Sequence, residues 1–91
     1  MAARITAIRL SGGTDHQHIV RLWWTDDAGQ CGDSSRSEIV SYIERGGTAY
    51  VQDSRGNRVS VRVVEPPFSE KYLLTCADGI WTDNLLALHR R

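Results

Sequence analysis

The side chains with the most chemistry to offer are two cysteines and three histidines: Cys31, Cys76, His16, His18 and His89. His16 and His18 are separated by one residue, so on an extended strand they point to the same side. Together with Cys31 and Cys76 they make up four nominal zinc ligands. Their spacing matches no zinc finger, and there is no C-x-x-C pair. We read the two histidines as polar residues at the start of a strand, and expect no metal and no cofactor. Nucleophilic catalysis needs a thiol or hydroxyl held beside a base. Nothing in the sequence orients either cysteine toward a histidine, and no G-x-S-x-G, Walker or G-x-G-x-x-G element is present. A chain of 91 residues has little room for a pocket that excludes water. The expectation is a protein that is not an enzyme and whose cysteines are free thiols. Asp78, Asp83 and Asn84 are short polar side chains in turn contexts, suited to bonding nearby backbone N–H groups. The D-x-D-x-D-G spacing of a calcium loop is absent.

Binding chemistry is better represented. Trp23 and Trp24 are adjacent, so on a strand they face opposite sides. One can enter the core. The other is either covered by Leu85, Leu86 and Leu88 of the tail or left as a contact point, and tryptophan is enriched at interface hot spots. The leading expectation is therefore a protein-interaction module, with an unidentified protein partner or a second copy of itself. The alternative uses a different face. Arg58 and Arg62 share the wet side of one strand, Arg55 lies in the adjoining turn, and Tyr50 can lie on that side of a hairpin. Arginine and aromatic side chains on an open sheet can contact phosphates and stack bases.

The elements that must position these residues are short. Residues 4–10 read as a strand of imperfect alternation, with Ile5, Ile8 and Leu10 apolar. The turn-forming SGGTD follows. A second strand spans 17–24, with Val20, Leu22 and Trp24 on one face and Ile19, Arg21 and Trp23 on the other. Residues 25–33 read as a polar loop. Ser35 and Glu38 have capping-box spacing, Ile39, Val40 and Ile43 recur at helical spacing, and Gly46 suits a left-handed helix end. The helix is expected over 36–45. Residues 48–53 and 58–65 read as a hairpin, the second strand alternating Val59, Val61 and Val63 with Arg58, Ser60 and Arg62. Pro66 and Pro67 must end it. A fifth strand begins near 71. Residues 80–88 suggest a short strand through Trp81, a turn, and a short helical turn. The order β-β-α-β-β-β predicts an α+β fold, one antiparallel sheet of about five strands with the helix packed on one face.

Length limits the chain to one domain, residues 1–91. Hydrophobic residues are 41% and charged residues 24%, an ordinary globular composition. Eleven basic side chains balance eleven acidic ones, which weighs against nucleic-acid binding unless the basic residues are locally concentrated. No apolar run approaches the length of a membrane span, and the N-terminus lacks the apolar core of a signal peptide. The expected location is the cytoplasm, with no membrane contact.

The run from Tyr72 to Leu88 carries a more specific pattern: Tyr72, Leu73, Thr75, then Ala77-Asp78-Gly79, then Thr82-Asp83-Asn84-Leu85-Leu86, and Leu88. It resembles a bacterial family catalogued as a domain of unknown function, number 3892. Ile39, Val40, Ile43, Gly46 and Gly47 are also similar to that family's central segment. Leu74, Cys76 and His89 depart from the common arginine, valine and proline. The resemblance implies a compact small domain and no assigned activity.

Overall fold

The computed structural model describes residues 2–53, 55–77, 80–82 and 84–91. Within them the strands are β1 (Ala2–Leu10), β2 (Ile19–Asp26), β3 (Cys31–Ser35), β4 (Thr48–Gln52), β5 (Arg58–Val64), β6 (Tyr72–Ala77), β7 (Ile80–Thr82) and β8 (His89–Arg90), with a single helix α1 (Arg36–Glu44). They form one sheet in the order β3-β2-β1-β4-β5-β6-β7, and β8 pairs with the far end of β1. The fold is α+β as expected, but it has eight strands among the described residues rather than about five. It is mostly antiparallel; β1 runs parallel to both β4 and β8. No helix among the described residues is long and apolar enough to cross a membrane.

Two bulges decide which residues meet the core. Opposite β1, Ile5 pairs with Trp24 and Ala7 with Trp23, leaving Thr6 as the extra residue. Further along, Arg9 pairs with Arg21 and Leu10 with Ile19, leaving Val20 extra. A bulge reverses the alternation beyond it. Ile5 and Ile8 therefore both point inward despite odd spacing, and so do Ile19 and Leu22; all four are essentially fully buried. The expected grouping of Ile19 with Arg21 and Trp23, and of Val20 with Leu22 and Trp24, is corrected by the second bulge. Val20 is exposed instead.

The inner face of the sheet and α1 enclose one apolar cluster. Ile5, Ile8, Leu22, Val51, Val61 and Leu73 contribute from strands, and Ile39 and Val40 from the helix. Leu85, from the turn before β8, is as buried as any strand residue. His16–His18 form a 3-10 turn rather than the start of a strand. Residues 31–35, read from sequence as loop and helix lead, form edge strand β3 against β2. Residues 84–88 form a non-helical turn leading into β8. The turn roles expected of Asp78 and Asp83 lie outside the described residues.

The helix starts where the capping box places it. The Glu38 N–H donates to Ser35 Oγ at 3.3 Å, and the Ser35 N–H donates to Glu38 Oε1 at 2.9 Å. It ends at Glu44, and Gly46 takes φ +97°, a conformation that strains any side chain with a Cβ. The Ser35 backbone N–H, followed by its hydroxyl, holds the Glu38 carboxyl below its ordinary value of 4.5. The Asn57 backbone N–H does the same for Asp53 in the β4–β5 turn, from 3.8. A carboxylate with a lowered native pKa stabilises the fold above its unfolded pKa, and that stability disappears as pH falls through the native value. Thermal unfolding should therefore show Tm falling as pH drops below the ordinary carboxylate range, with a shallower fall in Glu38→Gln. At neutral pH, Ser35→Ala should cost about 1 kcal/mol, or about 4–8 °C in Tm.

Candidate nucleic-acid interface

The pairing registers align one residue from each of seven strands across the outer face, away from α1. In order they are Cys31, Thr25, Arg4, Tyr50, Ser60, Cys76 and Trp81. Six strand spacings make this row about 29 Å long along the sheet. Arg58 and Arg62 flank Ser60 on the same face, and all three are exposed. The Arg58 guanidinium lies 4.5 Å from the centre of the Tyr50 ring. Trp81, at the β7 end, is 53% exposed.

Arg9 joins this face because of the Thr6 bulge. In a regular strand Arg4 and Arg9, five residues apart, would face opposite sides. Beyond the bulge Arg9 pairs with Arg21 and reaches over Trp23, 5.2 Å from the ring centre. Arg91 sits over the same ring at 4.7 Å. Its carbonyl accepts a hydrogen bond from Arg9 Nε at 2.9 Å, and its N–H donates to the Ile8 carbonyl at 2.9 Å. The C-terminal residues thus cover Trp23, through arginine rather than through the tail leucines. Those leucines go to the core instead.

Charge is segregated. Of the eleven carboxylates in the sequence, only Asp26 and Asp33 fall within the described strands. Asp26 is buried and accepts the backbone N–H groups of Ala28 and Gln30; Asp33 is paired with Arg21. The strands meanwhile carry Arg4, Arg9, Arg21, Arg58, Arg62 and Arg90. The ion pairs among the described residues that involve the helix or the 65–71 loop lie elsewhere: Arg36–Glu70 and Lys71–Glu44, each at 2.6 Å. The Glu44 carboxylate raises the pKa of Lys71. None of the salt bridges within the described residues engages Arg4, Arg9, Arg58 or Arg62.

Of the residues singled out in the sequence, Tyr50, Arg58 and Arg62 come together on this face. Arg55 lies at the tip of the β4–β5 turn, its N–H donated to Asp53 Oδ1 at 2.9 Å. Trp23 shares the face but is half-buried under the two arginines. Trp24 lies on the inner side, packed against the core, with its indole N–H 3.1 Å from Ser34 Oγ. Sequence reasoning missed Arg4, Arg9 and Trp81. Arg4 and Trp81 stood in recognisable strands and could have been found; Arg9 needed the bulge.

The cysteines are free and stand at positions far apart in the row, five strand spacings or about 24 Å along the sheet, well beyond disulfide reach. Among the described residues no group of three or more His, Cys, Asp or Glu side chains converges as a metal site would require. No curated protein and no solved structure matches the chain. The model of the family described as proteins of unknown function, DUF3892, matches residues 4–89, nearly the whole chain, and the protein belongs to that family.

Proposed function

We propose that this domain binds single-stranded nucleic acid across its outer sheet face. The observation that carries the reading is the segregation of charge. A neutral chain places Arg4, Arg9, Arg58 and Arg62 on one exposed surface and most of its carboxylates in loops and the helix. Phosphate neutralisation by such arginines supplies affinity, and exposed rings such as Trp81 supply sequence-tolerant stacking. The row's length suits a site toward the short end of the roughly 4–16 nucleotides that single-strand folds cover. Fluorescence anisotropy with labelled single-stranded RNA and DNA tests the reading. Binding that weakens steeply between about 50 and 200 mM salt supports it. No binding at the lower salt, or binding indifferent to salt, removes it.

One observation favours protein contact as a second reading. Phe68 is 98% exposed, in a loop whose far end is tied to α1 by the Arg36–Glu70 and Lys71–Glu44 pairs. If a second copy receives it, sedimentation should show a concentration-dependent dimer that Phe68→Ser shifts to monomer. A wild-type chain that stays monomeric at its highest soluble concentration sinks the second-copy version.

A further inference from the structure

On the opposite side of the sheet from the arginines, a cleft of about 240 Å³ opens between α1 and the strands β1, β2 and β3. Trp24 and Tyr42 line it, with Ala3 and Ile39 at its apolar floor and Asp26 and Glu38 among its walls. Both rings lie against backbone that only glycine permits. A Cβ on Gly32 would stand 2.6 Å from Trp24 Cζ2, and one on Gly47 would stand 2.5 Å from Tyr42 Cζ. Both rings are also pinned at their polar ends. The Trp24 indole N–H donates to Ser34 Oγ, and the Tyr42 hydroxyl donates to the Thr48 carbonyl at 3.3 Å. The rings are therefore held in place by the fold.

The cleft's charge is one-sided. Asp26 is 9% exposed, and its Oδ1 accepts from two backbone N–H groups. No ion pair within the described residues involves it or Glu38. Glu38 spends one oxygen on the helix cap and keeps its negative charge at neutral pH. Aromatic faces attract cations through the ring quadrupole, most strongly when water is excluded. Two fixed rings, an apolar floor and two carboxylates outside those ion pairs, Glu38 with the charge of Arg21 nearby, together select for positive charge on an apolar body.

The geometry points to a binding site for a small organic cation of the quaternary alkylammonium class, seated between Trp24 and Tyr42. This site is separate from the outer face and does not depend on nucleic-acid binding. The test is a ¹H–¹⁵N NMR titration of the full chain with choline as the probe, against its neutral tert-butyl analogue. Choline should shift the Trp24 indole N–H and the amides of Ala3 and Gly32. It should bind at least about fivefold more tightly than the neutral analogue, the range expected of a partly desolvated cation–π contact. Trp24→Leu should abolish those shifts. Should that variant fail to fold, Glu38→Gln, which retains a capping side chain, should weaken choline while leaving the neutral analogue unchanged. Equal affinity for the two probes, no saturable shift, or shifts confined to the Trp81 side of the sheet would each overturn the assignment.

Discussion

Changing Arg4, Arg58 and Arg62 together to glutamine is expected to weaken single-strand binding by about 10²–10³-fold at about 50 mM salt. For single strands the salt slope is roughly −0.7 per neutralised phosphate, so three lost contacts lower it by about 2. The same arithmetic predicts that the loss shrinks to about thirtyfold at about 200 mM. The fold should survive, because all three side chains are exposed and none joins a salt bridge within the described residues. The cation–π contact given up is Arg58 over Tyr50, worth about 0.5–1 kcal/mol at an exposed site. Lysine at the same positions separates charge from shape: it should keep most of the salt slope while losing guanidinium stacking. Trp81→Ala should act differently, costing about 1–3 kcal/mol with little change in slope. A triple variant whose affinity and slope both match the wild type would show that the face is only a solvated surface.

Net charge hid this surface. Eleven acidic side chains cancel eleven basic ones, and the cancellation conceals where each kind sits. The strands needed few carboxylates because α1 and the loops carry them: Glu38 caps the helix, Asp53 closes a turn, and Glu44 and Glu70 tie the 65–71 loop to α1. Each serves a local structural purpose outside the strands. Arg4, Arg58 and Arg62, which join none of the salt bridges within the described residues, are left on the open side of the sheet.

What the residues disclosed follows from how local their signals were. The capping box at Ser35 and Glu38, the glycine helix end and the valine alternation of β5 each depend on a few neighbours, and each appears where the sequence places it. The hairpin of β4 and β5 placed Tyr50 beside the arginines for the same reason. Edge strand β3 could not be read that way. Its sequence, CGDSS, has poor strand propensity, and what holds it is tertiary: five consecutive pairings with β2, a glycine beneath the Trp24 ring, and the indole bond to Ser34. The bulges at Thr6 and Val20 are likewise set by the partner strand. They reassigned Ile19, Val20 and Arg9 to faces that simple alternation denies them. The tryptophan pair was correctly split between two faces, yet its surroundings came from distant chain: Arg91 over Trp23, and α1 beside Trp24.

The tail provides the largest expected loss of stability. Leu85 belongs to no strand or helix, yet it is 0% exposed and packs in the same cluster as Ile8, Leu22 and Leu73. Leu85→Ala removes that apolar surface and leaves a cavity that the sheet and helix cannot fully close. The cost should be about 2–5 kcal/mol, a large share of the roughly 5–15 kcal/mol available to a domain. At about 4–8 °C per kcal/mol, Tm should fall by at least about 10 °C. Leu86→Ala, at a half-buried position, should cost less. The loss should also be directional. Leu85 anchors the turn that delivers β8, and β8 is only two residues long, joined to β1 at Ala7 and Ile8. Without that anchor the Arg91 N–H bond to Ile8 should open first, and hydrogen exchange at Arg91 should quicken well before exchange in β5 and β6. Arg91 would then leave Trp23, opening a second aromatic ring on the face that carries Arg4 and Arg9. A variant that melts within a degree or two of wild type would mean that the tail lies on a core complete without it, and that Trp23 is covered by β8 alone.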